Sequence, residues 1–106
     1  MKNSNWLLAL ASTLLSLFAV EVALKMALQY WRSQGAAGRD RLLTIRGGYH
    51  GDTFMAMSAC DPVTGMHHLF ADVLVPQFFA PRPSAPFSAT DASADIEPFA
   101  RLIEEH

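Results

Sequence analysis

Cysteine occurs once in these 106 residues, at Cys60. A single thiol excludes an internal disulfide framework and a multi-cysteine zinc site, and it is compatible with a reducing compartment. Charge is also scarce: 17% of residues are charged, 8 basic against 10 acidic, for a formal net charge of −2. That balance offers no electrostatic footprint for nucleic acid or another polyanion. Neither a GxxxxGKS phosphate loop nor a GxGxxG turn occurs, and no internal repeat is visible. No apolar run reaches the ~20 residues that span a bilayer as a helix. The longest, Trp6–Val20, holds fifteen residues and is interrupted by Ser12, Thr13 and Ser16. It fits the hydrophobic core of a secretory signal with Lys2 as a thin positive flank, although Phe18, Ala19 and Val20 make a poor cleavage site. A buried helix, or a stretch foreign to the domain that follows, is the competing reading.

What the chain does have is apolar content, 51% hydrophobic, which excludes a disordered chain. Its length allows one small domain that can bury only about 60–65% of its unfolded surface. A wide parallel sheet covered by helices on both faces needs more chain than this.

From Ala19 onward the pattern is that of a folded α/β protein. Glu21, Lys25, Gln29 and Arg32 recur at helical spacing on one face, and Val20, Ala23, Leu24, Ala27, Leu28 and Trp31 fill the other. Glu21 and Lys25 stand at i, i+4 in the favourable order, as a solvent-side pair. Gly35 is the expected stop. Leu42–Ile45 reads as a short buried strand, ended by Gly47-Gly48, and a short helix is expected to start near Asp52 or Thr53. Cys60–Pro86 is loop-like, with prolines at 62, 76, 81, 83 and 86 and one further strand expected in the apolar centre Leu69–Val75. Ser84–Ala94 reads as an exposed connection. Ile96, Phe99, Ala100 and Ile103 mark a final helix capped by Ser93 or Asp95.

Tyr49-His50-Gly51, at the end of a strand, is the best local candidate for a site. An aromatic ring presented by a glycine-rich turn can stack on a planar ligand where α/β folds bind; a half-buried packing tyrosine is the plainer reading. His67-His68 offers no chelate, because neighbouring strand positions face opposite ways. No metal is expected. Cys60 with His50 carries no signature of a thiol nucleophile.

Ala19–Trp31 (AVEVALKMALQYW) resembles the helix after the phosphate-binding loop of class III aminotransferases, fold-type I enzymes that use pyridoxal 5'-phosphate. Gly48–Thr53 (GYHGDT) is similar to their next landmark. The continuation Met57–Pro62, then Met66-His67 and Phe79–Pro81, narrows the resemblance to the branch acting on adenosylmethionine and 8-amino-7-oxononanoate. It covers about 85 positions, Ala19 to Ile103. The resemblance implies an α/β piece of the large domain, with residues 1–18 as an unmatched apolar leader and residues 19–106 as an internal fragment. It implies that Tyr49 packs over the cofactor ring and borders the substrate pocket, with Gly48, His50 and Gly51 shaping the turn. Ser16 and Leu17 stand where the family has the Gly-Ser end of its phosphate loop. The family's Schiff-base lysine has no counterpart in Lys2 or Lys25, so no catalytic residue is expected in this chain. The family implies small-molecule substrates, a homodimer and a cytoplasmic address, against which the apolar stretch 6–20 sets a membrane or export address.

Overall fold

The computed structural model describes residues 4–65 and 68–106, and all side chains among them except that of Leu17. Lys2, Met66 and His67, named above, lie outside the described residues. The elements follow in the order α1 (Ser4–Ser33), β1 (Leu43–Ile45), α2 (Phe54–Ala59), a 3-10 turn (His68–Phe70), β2 (Phe78–Ala80) and α3 (Ser93–Glu105).

The apolar stretch and the amphipathic stretch form one continuous helix. At 1.5 Å per residue α1 is about 45 Å long. It ends as expected at Gly35, which adopts φ 76°. The amide of Ala36 donates to the Trp31 carbonyl and that of Gly35 to the Arg32 carbonyl, the paired bonds of a Schellman stop. Arg39 then lies over the Trp31 ring at 4.3 Å. Within this chain the half of α1 before Ala19 is exposed: Leu8, Leu15 and Phe18 are all more than half accessible.

The packing face of α1 differs from the sequence expectation. Val20, Glu21, Leu24, Leu28 and Trp31 are half-buried, while Ala23 and Ala27 are exposed. Glu21 therefore faces inward. Its carboxylate accepts the Thr53 hydroxyl at 2.6 Å, the Ala56 amide at 2.9 Å and the Met55 amide at 3.1 Å. The first amides of a helix have no partner within it. At α2 a side chain from 32 to 35 residues upstream supplies the acceptor that Thr53, at the cap position, does not.

β1 and β2 pair in parallel, with Leu43 opposite Phe78, Thr44 opposite Phe79 and Ile45 opposite Ala80. The second strand thus falls after Pro76, not in Leu69–Val75, where the chain makes the 3-10 turn and further turns. Apolar content alone favoured the earlier run, but a partner decides. The Phe78 amide donates to the Leu42 carbonyl and the Gln77 side chain accepts the Leu42 amide, so the pairing is locked on both sides of Leu42.

α3 packs against β2, and His106 stacks on Phe78 at 4.2 Å. Of its four expected apolar positions Phe99 is half-buried, while Ala100 is exposed and Ile96 and Ile103 are 63% and 60% exposed; Leu102 is also half-buried. Asp95 does not cap the helix. Its carboxylate accepts the Ser84 and Ala85 amides and so tethers the Ser84–Ala94 connection, while Asp91 accepts the Ser93 amide.

The buried apolar residues among those described are few and, Met57 apart, small: Ala56, Met57, Ala59, Cys60 and Ala80, all on or beside α2 and β2. The radius of gyration is 17.1 Å, against about 13 Å for a compact chain of this length. The extended α1 and the thin core account for the difference.

Removal of the Glu21 carboxylate by Glu21→Ala is expected to cost about 1–2 kcal/mol, the value of a lost helix cap. Amide exchange should rise selectively at Met55 and Ala56. Unchanged protection at both amides would show that Glu21 does not hold α2.

Candidate functional site

The site is a turn between β1 and α2. Gly47 takes φ 79° and Gly51 φ 118°, conformations that side-chain-bearing residues rarely adopt. Gly48 serves the turn differently. It needs no positive φ, but a Cβ there would stand 3.0 Å from His50 Nε2. The His50 ring in turn lies 3.5 Å from the hydroxyl of Thr44, the middle residue of β1. The glycines and His50 thus pack the inner side of the turn and leave Tyr49 outward, 61% exposed. The plainer expectation of a half-buried packing tyrosine does not hold.

What fixes the turn is Asp61, which the sequence did not mark as a site residue. It is only 6% exposed. Its carboxylate accepts the Gly47 amide at 2.6 Å and, through the other oxygen, the Val63 and Thr64 amides at 2.8 and 2.9 Å. Its own amide donates to the Gly48 carbonyl, and the Arg46 guanidinium stands 4.0 Å away. Donation from Thr64, Gly47 and Val63 holds the Asp61 carboxyl at about 2, below its ordinary 3.8. Asp61-Pro62, with Gly65 following, is a recognisable turn signal; its long-range bond to Gly47 has no local signature.

Cys60 is the second clip. The His50 backbone amide donates to its sulfur at 3.2 Å, and the thiol points at the Ala56 carbonyl at 3.3 Å. At 2% exposure it is a structural thiol inside the turn, which excludes the nucleophile reading with His50. Among the described residues no group of three or more His, Cys, Asp and Glu side chains converges on a metal position.

At the tip, the Asp52 carboxylate hydrogen-bonds the Tyr49 phenol and raises its pKa above 10.0.

The other candidate positions do not join this turn. Ser16 and Leu17 are interior residues of α1, not the end of a loop. The Ser16 hydroxyl is spent on the Thr13 carbonyl at 2.8 Å. A phosphate cradle needs free amides at a helix start, and here the helix began twelve residues earlier, so the amides that follow Ser16 are inside the ladder. Lys25 lines a groove with Glu21, Leu28, Gln29, Arg32 and Met55, away from Tyr49.

Asp61 carries a sign-definite pH dependence. Its folded pKa lies below the unfolded value, so its contribution is complete above about 3.8 and is lost as pH falls toward about 2. Amide protection at Gly47, Val63 and Thr64 is expected to fall together across that window. Asp61→Asn should lower it about ten-fold or more at neutral pH, since bonds to a charged acceptor are the stronger class. Protection at Gly47 that survives the substitution would disconnect Asp61 from the turn.

The sequence profile of class-III aminotransferases matches residues 17–106. The adenosylmethionine-8-amino-7-oxononanoate aminotransferase of Mycobacterium leprae is 61% identical over 64 residues, 60% of this chain and 15% of the relative. That of Corynebacterium glutamicum is 50% identical over 88 residues, 82% and 21% respectively. In structure, the chain is similar to the enzyme of that name from Methanocaldococcus jannaschii, with TM-score 0.69 and 33% identity over 86% of this chain and 19% of that one. It is also similar to an amine transaminase from an uncultivated Pseudomonas species in its PLP-bound form, with TM-score 0.63 and 34% identity over 85% and 21%. The chain spans about a fifth or less of the length of the relatives it matches. A sheet and turn of this geometry, with a family match over most of the residues, make this chain a member of the class-III aminotransferase family and a fragment of its fold-type I architecture.

Proposed function

We propose that the chain is the ring-covering segment of a pyridoxal-phosphate-dependent aminotransferase. Tyr49 is the covering side chain, and the whole enzyme transfers an amino group from adenosylmethionine to 8-amino-7-oxononanoate. The homodimer of such an enzyme and the cytoplasmic placement of its folded part belong to the same proposal. One observation carries it. Tyr49 is exposed, yet its turn is held by a buried carboxylate, a buried thiol and two positive-φ glycines. The anchoring holds the phenol ring in one place, as a side chain that covers a planar ligand requires.

The residues present fit one part of the cofactor and not the rest. The phenol ring suits the face of a planar heterocycle, and its hydroxyl is hydrogen-bonded to the Asp52 carboxylate. Pyridoxal phosphate, when bound, supplies an electron sink, but it also needs a phosphate grip and a lysine amine. Ser16 and Leu17 offer no grip inside α1, and Lys25 lines a different groove. The chain's own contribution is therefore positioning: it orients an aromatic face and borders the substrate pocket.

Two outcomes test this. Incubation of the 106-residue chain with equimolar pyridoxal phosphate, followed by borohydride, is expected to leave Lys25 unmodified by mass spectrometry. A stoichiometric adduct there would contradict the division of labour just described. In a chimera, the matching 64-residue segment of the Mycobacterium leprae relative is exchanged for that of this chain. Tyr49→Phe is expected to keep amino transfer near the parent chimera, and Tyr49→Ala to lower kcat/KM about ten-fold. Equal activity for the alanine variant would remove Tyr49 from the site.

A further inference from the structure

The first half of α1 takes no part in the turn, and its chemistry points elsewhere. We infer that Trp6–Val20 inserts into a lipid bilayer and tethers the folded part of the chain to it. This reading does not depend on the cofactor proposal. The helix contains an 18-residue window of mean hydropathy 2.2, none of it buried. No charged residue occurs between Trp6 and Val20.

The distribution of side chains favours lipid over a protein groove. At 100° per residue, Leu7, Leu8, Leu10, Leu14, Leu15 and Phe18 spread over roughly half of the circumference, and each is about half exposed or more. The rest of the surface carries Ala9, Ser12, Ser16 and Ala19. A helix seated in a protein groove keeps a charged outer face, and no side of this stretch carries a charge; a bilayer solvates all sides at once. The polar side chains inside the stretch are already satisfied. Ser12 and Thr13 donate to the Ala9 carbonyl at 2.9 and 2.8 Å, and Ser16 donates to Thr13 at 2.8 Å. Lipid demands that closure, because an unbonded hydroxyl there finds no water.

Both ends of the stretch suit an interface. Trp6, 58% exposed, is an amphipathic ring of the kind that settles at headgroup level. At the other end Glu21, bound to Thr53 and the α2 amides, marks where the folded part begins. The fifteen residues of Trp6–Val20 measure about 22 Å, less than the ~30 Å hydrocarbon core. Insertion therefore goes with local thinning or with penetration that stops short of the far leaflet.

Flotation of the full chain with phosphatidylcholine vesicles, with and without phosphatidylglycerol, tests this. The chain is expected to rise with both vesicle types and to remain bound in high salt. Leu10→Lys with Leu14→Lys, both outside the folded part, should lower the floated fraction about ten-fold or more. Protection of the Gly47 amide serves as the check that the turn is still folded. Four results would overturn the inference: a chain that stays at the bottom of the gradient, one that forms a discrete dimer without floating, one bound only to anionic vesicles and released by salt, or a double-lysine variant that floats like the parent.

Discussion

A carboxylate removed from water must find donors, and Asp61 finds three on two segments of chain. It accepts Gly47 from the end of β1 and Val63 and Thr64 from the turn that follows α2. Those bonds close a loop around α2, because its N-terminal and C-terminal connections are both tied to one side chain. Everything displayed on the first connection, Tyr49 above all, takes its position from that closure. The cost of burying the charge is met by the donors themselves, and the low pKa of Asp61 reports the same balance. Removal of the acceptor leaves three amides to seek water inside a turn whose glycines have no side chains to limit their motion.

This dependence on polar clips follows from how little apolar surface the chain buries. No large side chain is fully buried among the described residues, and the sheet has two strands. Two-stranded sheets are marginal alone, and parallel ones are ordinarily covered on both faces. In place of a core, carboxylates reach across sequence: Glu21 to α2, Asp61 to the Gly47 turn, Asp95 to Ser84 and Ala85. Each spans ten or more residues and takes backbone amides that would otherwise lack a partner.

That pattern also explains what could be read in advance. The Leu43–Ile45 strand, the stop at Gly35 and the start of α2 after Thr53 were legible, because each is set by residues within a few positions of it. The glycine turn that carries Tyr49 was legible for the same reason. Glu21 was not: helical spacing placed it with Lys25 and Gln29 on a solvent face, and nothing local to it announces amides 34 and 35 positions away. β2 was misplaced because Leu69–Val75 is the more strand-like run, while Phe78–Ala80 owes its strand to Leu42 and β1. Ser16 and Leu17 were matched to a loop by position in a family string. Without the glycine of that loop nothing interrupts the helix, and α1 runs straight through them.

The central claim is that Tyr49 stands on a rigid platform made by Asp61, not on a mobile surface loop. Backbone nitrogen-15 relaxation across Gly47–Gly51 tests it most directly. Order parameters near 0.85, level with those of β1 and α2, are the predicted result. Values below about 0.6 in the turn, with β1 and α2 still ordered, would contradict it.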